Sequence, residues 1–371
     1  MAMTDPQRRL LKAIQRRVPL VREPFAALAD ELGRDEYWVM DQIAAMSSSG
    51  GVIREISAIF DAVALGYQQT LVAMRVAPDR LDQAGRLVAA HPGVSHCYGR
   101  TGALNLWFTL ATSPSSRLGL AKTVDTLARL TASAKTLLLP TLRRYKLNVR
   151  FDLENDPFAA TAHLGAEASG PASLAVEPQP DEPSWTKVLL GEGGGDQQAT
   201  LPTLNDRELR AVRALQRPLP PRSDPFARLA AAERLNPHTL LAIGSDFLAD
   251  GSMRRYAAVL HHRAAGAKAN VLAAWAVDEP AADAAGARCA QLAAVSHCYL
   301  RPARDDWPYS LYTMIHGRSE QDCRLTIDEI ATTTGLSRRA ELWTVAEYKK
   351  RRIGLFIGEE AKWEGQFEDE D

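Results

Sequence analysis

The chain has 371 residues, 46% of them apolar, and a formal charge of −1. That length and apolar content suffice for two or more domains with cores of their own, and the near-neutral balance gives no global electrostatic pull toward nucleic acid, which weighs mildly against a broad grip on phosphates. The four cysteines (Cys97, Cys289, Cys298, Cys323) form no Cys-x-x-Cys pair, the N-terminal residues lack a signal-peptide core, and no apolar run reaches membrane-spanning length. The expected address is therefore the cytoplasm, with reduced thiols and no membrane partner.

Taken in chain order, residues 7–14 show helical spacing of Leu10, Leu11 and Ile14, and two further short amphipathic helices follow over 25–32 and 37–46. Gly33 ends the second and Asp35 caps the third. Three short helices with a tight turn before the last make a helix-turn-helix, or winged-helix, unit over 1–51. After the Gly50-Gly51 turn the pattern reads strand 52–60, strand 68–76, helix 79–90, strand 94–98, strand 105–110, helix 117–131, strand 136–145. Its last six elements have the β-α-β-β-α-β order of a ferredoxin-like domain, assigned to 52–156. Residues 157–203, rich in Ala, Gly, Pro, Glu and Ser, bury too little apolar area to offset ordering and form a flexible linker. The same order then returns as a helix-turn-helix over 204–251 and a ferredoxin-like domain over 252–357. The remainder, 358–371, ends in Glu368-Asp-Glu-Asp371 and is expected as an acidic tail.

The return is a duplication: Val94-Ser-His-Cys-Tyr-Gly-Arg100 reappears as Val295-Ser-His-Cys-Tyr-Leu-Arg301. Gln15, Pro24 and Phe25 match Gln216, Pro225 and Phe226; Gly51, Arg54 and Gly66 match Gly251, Arg254 and Gly266. The fold class is thus α+β, two tandem copies of a helix-turn-helix plus a ferredoxin-like domain. This architecture, with Gly51-Val-Ile-Arg54 at the junction, resembles the Lrp/AsnC regulators, which implies effector-responsive DNA binding. The third helices contradict that: Asp35-Glu-Tyr-Trp-Val-Met-Asp-Gln42 and Pro237-His-Thr-Leu-Leu-Ala-Ile-Gly-Ser-Asp246 contain no Lys or Arg for phosphates. No nucleic-acid partner is expected, and the helix-turn-helix serves as packing scaffold.

Strand alternation puts His96, Tyr98 and Arg100, and likewise His297, Tyr299 and Arg301, on one face of their strands. At the junction strand Arg54 and Arg254 are shared, but His261 stands where Asp61 does. His261 and His262 are either exposed strand-end residues or an imidazole that only the second copy has.

Gln15-Arg-Arg-Val-Pro-Leu-Val-Arg-Glu-Pro-Phe25, Arg54-Glu-Ile-Ser-Ala-Ile-Phe-Asp61, Leu65-Gly-Tyr67, His96-Cys-Tyr98 and Asn105-Leu-Trp-Phe-Thr109 resemble the alpha-type subunit of the sirohaem decarboxylases. Arg254-Arg-Tyr-Ala-Ala-Val-Leu-His-His262, Val295 to Arg301, Trp307-Pro-Tyr309 and Thr313-Met-Ile-His-Gly-Arg318 resemble the beta-type subunit. The resemblance implies an intrachain pseudo-heterodimer, alone or as a homodimer of chains. It also implies removal of CO2 from the C12 and C18 acetates of sirohaem, giving 12,18-didecarboxysirohaem for haem or haem d1 formation.

The residue chemistry fits that reaction. Guanidinium groups grip carboxylates bidentately, and imidazole supplies a proton near neutrality. His297 and His261 are the expected proton donors, with Arg301 and Tyr299 orienting carboxylates. Arg254, Arg54, Arg100, His96, Tyr98, Trp307, Tyr309, His316 and Arg318 are the expected substrate-binding residues. The active pocket is expected in the second copy, the first completing its wall. No metal or cofactor of the protein's own is expected; iron arrives with the tetrapyrrole, and a histidine is an alternative axial ligand. The competing readings are an Lrp/AsnC-type transcription regulator and a haem-binding sensor without catalysis.

Overall fold

The computed structural model describes residues 3–147, 204–260 and 268–367. The linker expected over 157–203, the acidic residues 368–371, and His261 and His262 lie outside them. Among the described residues no helix is long and apolar enough to cross a membrane.

The first helix-turn-helix comprises α1 (Asp5–Arg16), α2 (Pro24–Leu32) and α3 (Glu36–Ser47). Helix α1 buries Leu10, Leu11, Ala13 and Ile14 on one stripe. Gly33 ends α2 in the left-handed conformation (φ 62°), and the Asp35 side chain caps α3 by accepting from the Trp38 amide at 2.8 Å. After β1 (Ile53–Phe60) the chain forms β2 (Gln68–Arg75), α4 (Leu81–Ala90), β3 (Val94–Arg100), β4 (Leu106–Thr112), α5 (Gly119–Leu130), β5 (Lys135–Leu139) and β6 (Arg143–Leu147). The second copy runs α6 (Asp206–Leu215), α7 (Pro225–Ala232), α8 (Pro237–Ala249), β7 (Met253–Leu260), β8 (Ala269–Trp275), α9 (Glu279–Gln291), β9 (Val295–Leu300), β10 (Leu311–Gly317), α10 (Glu320–Thr334) and β11 (Arg339–Lys350).

The two copies are built into each other. Strands β1 and β7 pair antiparallel as a ribbon, and both helix-turn-helix units pack on it in one shared core that includes Phe25, Ile56, Phe226 and Tyr256. The remaining strands form one nine-stranded sheet in the order β5-β2-β4-β3-β11-β8-β10-β9-β6. The single strand expected over 136–145 is two strands, because Pro140 has no amide to offer a ladder. Strand β5 pairs with β2 of its own copy, and β6 crosses to β9 of the other. Strand β11 does both jobs unbroken, Arg339–Trp343 on β8 and Thr344–Lys350 on β3. One sheet face carries the helices; the other encloses an apolar cluster with Trp107 and Leu139 from copy one and Trp307, Tyr312 and Leu342 from copy two.

The expectation of an acidic tail from 358 needs correction. Residues Glu359–Glu364 form α11, which docks on the first copy. Trp363 sits edge-on to the buried His91 at 4.2 Å, and the buried Glu364 accepts from the Ser116 hydroxyl and the Arg117 amide, 3.1 Å away. Its carboxylates satisfy amides ahead of α5, which a segment repelled into solvent would not do.

Candidate active site

Strands β3 and β9 sort their side chains by alternation. Cys97 and Cys298 point to the helical side, where each thiol meets the carbonyl of a helix glycine, Gly85 at 3.7 Å and Gly286 at 3.8 Å. His96, Tyr98 and Arg100, and their counterparts His297, Tyr299 and Arg301, take the other face. In each copy the imidazole stacks on the phenol, with ring centres 6.3 and 6.2 Å apart, and the guanidinium lies 5.1 Å from the same tyrosine ring.

The arginines are the unusual members. Arg100 and Arg301 are only 4% and 7% exposed, and neither has a carboxylate partner among the described residues. Arg100 donates to the Leu342 carbonyl (2.9 Å) and the Thr344 hydroxyl (3.0 Å) of the other copy; Arg301 donates to the Leu139 carbonyl, again across the copies. The Nε of each has no partner. Burial lowers Arg100 to about 10 and pushes Arg301 down as well; a guanidinium is the side chain that keeps its charge under such a push. A buried guanidinium balanced only by carbonyl and hydroxyl oxygens is a standing demand for an anion.

The two clusters differ in their surroundings. Tyr299 lies opposite Arg144 of β6, and the charges of Arg301, Arg144 and Arg254 all oppose the upward push of burial on its hydroxyl. Tyr98 lies opposite Glu347 of β11, whose charge adds to burial in pushing that hydroxyl up. Arg254 is held by Asp61 of the first copy. Burial raises the Asp61 carboxyl, but the Arg254 charge and hydrogen bond outweigh it and leave the group below its usual range. The face around Tyr299 is therefore cationic and assembled from both copies.

Other expected site residues fall into three groups. Arg254 joins the Tyr299 face, and His316 stands on β10 two residues beyond Met314, the register partner of His297. Trp307 is buried against Trp107 and donates its indole N–H to the Tyr312 hydroxyl at 2.8 Å, with Tyr309 edge-on beside it. Arg318 pairs with Asp322 at the start of α10. Arg54 is also placed elsewhere. It lines a cavity of about 630 Å³ with Arg217, Arg228 and Leu219, and no β3 or β9 side chain borders that cavity. Its strand position sets it at the end of the ribbon opposite Asp61 and Arg254, where Ile53 pairs with Leu260. The reading from sequence missed Arg144, Glu347 and the Asp61–Arg254 pair, all of which depend on strand exchange between copies.

Comparison with known proteins bears on the fold and the family. The AsnC-like ligand binding domain model matches residues 64–146 and 264–349, and the siroheme decarboxylase NirDL-like HTH domain model matches 7–54. A siroheme decarboxylase of Hydrogenobacter thermophilus is 33% identical over 359 residues, 96% of each chain. The chain belongs to the sirohaem decarboxylase family. Within these decarboxylases, a separate beta subunit from Oleidesulfovibrio alaskensis is 37% identical over 155 residues, 42% of this chain and 98% of its own. The crystal structure of the siroheme decarboxylase NirDL superimposes with a TM-score of 0.75 at 29% identity over 98% of both chains. That decarboxylase has also been solved in co-complex with an iron-uroporphyrin III analogue.

Proposed function

We propose that this chain is a carboxy-lyase that removes CO2 from the C12 and C18 acetates of sirohaem, with both halves of the enzyme in one polypeptide. The observation that carries this reading is the pair of buried guanidiniums, Arg100 and Arg301, each stacked on a His–Tyr pair and lacking an internal carboxylate. A tetrapyrrole ringed by carboxylates supplies the missing charge. The cationic face around Tyr299 is the reactive one, because Arg301, Arg144 and Arg254 converge there while Glu347 disfavours anions beside Tyr98.

Loss of CO2 leaves the electron pair of the broken C–C bond on the pyrrole-bound methylene, delocalised into the macrocycle. The His297 imidazolium, two residues along the strand from Tyr299, then supplies the proton that makes the methyl group. The reading needs no cofactor of the protein's own, since iron belongs to the substrate, and it places the enzyme in the cytoplasm. Anaerobic incubation with sirohaem should give a product lighter by two molecules of CO2 on mass spectrometry. An unchanged mass would overturn the proposal.

A further inference from the structure

We propose that Ser296 is a positioning residue that fixes which nitrogen of His297 carries the proton. Resting on the decarboxylase reading, this inference concerns a side chain outside the site described so far. The register of β9 against β10 steps from Val295↔Ile315 to His297↔Met314, so Ser296 is the extra residue of a β-bulge. The first copy repeats the device: Val94↔Leu110 is followed by His96↔Thr109, leaving Ser95 unpaired. A bulge re-aims a side chain that strict alternation would send to the opposite face. Here it brings the Ser296 hydroxyl to 2.8 Å from His297 Nδ1.

The proton count at that hydroxyl decides the tautomer. Ser296 Oγ also lies 3.2 Å from the Met314 carbonyl oxygen, which can only accept. One hydroxyl proton serves both contacts only if Ser296 donates to Met314 and His297 Nδ1–H donates to Ser296. Nε2 is then the nitrogen that gains and gives the catalytic proton. When the imidazolium protonates the methylene carbon, its Nε2–H bond breaks and a C–H bond forms. The neutral ring left behind is the Nδ1–H tautomer that Ser296 already holds, so the step requires no rearrangement.

The first copy lacks this constraint. Ser95 Oγ sits 3.0 Å from His96 Nδ1 and 2.6 Å from the Thr109 hydroxyl, a group that donates or accepts equally well. Either direction of hydrogen bonding satisfies the trio. Ser296 thus faces a main-chain acceptor at Met314 where Ser95 faces a second hydroxyl at Thr109, and this separates one defined tautomer from two accessible ones.

The test uses the full-length chain labelled with ¹⁵N-histidine, the His297 signals being assigned by their loss in H297Q. Wild-type His297 should show the Nδ1–H pattern. S296A should shift it toward Nε2–H and lower kcat about tenfold or more with KM within about twofold, and S296T should restore both. S95A, at the equivalent position of the first copy, should leave the His297 pattern unchanged. An unaltered His297 pattern in S296A, or S296A with wild-type kcat, overturns the proposal. If wild-type protein leaves sirohaem intact, the decarboxylase reading fails by itself, and the nitrogen signals still decide the role of Ser296.

Discussion

His297 and His96 share their sequence neighbours and the same stacked tyrosine, so any difference in their chemistry comes from what folding brings opposite them. Arg144 and Arg254 concentrate positive charge near Tyr299, whereas Glu347 does the reverse near Tyr98. H297A should therefore cut turnover of sirohaem about 10²–10⁴-fold, and H96A should cost clearly less, both followed by mass spectrometry of the product. Equal losses would show that the two faces work alike. The repeated His-Cys-Tyr-x-Arg cluster was legible in the sequence because period-two alternation alone sets its common face. The place of Arg54 was not legible because alternation does not tell which end of a ribbon a side chain serves. The packing of Trp307 was not legible because an indole suits a ligand wall and a core equally. Asp61, read as the residue that deprives copy one of an imidazole, is the partner of Arg254 across the ribbon.

At the scale of elements, the exchange of strands β6 and β11 is held by two matching latches. Tyr145 of β6 lies on Gly286 of α9 and donates to Asp283 at 2.6 Å; Tyr348 of β11 lies on Gly85 of α4 and donates to Asp82 at 2.7 Å. A Cβ at Gly286 would fall 2.4 Å from the Tyr145 ring, which its hydroxyl bond prevents from swinging away. G286A should destabilise the fold by about 1–3 kcal/mol despite better helix propensity, seen as a lowered Tm. Helix α11 brings a different sensitivity. Burial, reinforced by Lys349, depresses His91 from 6.5 to about 3. The unfolded chain thus binds this proton first. The contribution is complete above pH 6.5 and is lost at about 1.4 kcal/mol per pH unit as pH falls toward 3. Thermal unfolding across that window should show a shallower acid slope for H91L, leucine being the residue that copy two carries at this register as Leu292. A slope equal to wild type would remove His91 from the account. The helix itself was hidden by its composition: Glu360 and Glu364 look solvated until the amides they accept from are known.

For the whole molecule, the order of elements, the duplication and the ferredoxin-like pattern were all readable from hydrophobic period and turn residues. What could not be read was that the copies share one helical core and one sheet, since no local pattern specifies pairing between residues two hundred positions apart. Cleavage within 157–203 should accordingly leave two fragments that co-elute on size exclusion and retain turnover; separation into folded halves would contradict the shared sheet. The junction at Pro140 has a final consequence. An open sheet this wide usually offers long rows of unsatisfied amides at its margins, where other chains can add and aggregates can grow. Here both margins are consecutive pieces of one strand, β5 and β6, each five residues long and separated by a proline, with the Leu142 amide at the corner already bonded to Leu300. Among the described residues, the nine-stranded sheet thereby ends at both margins in a short, interrupted template for self-association.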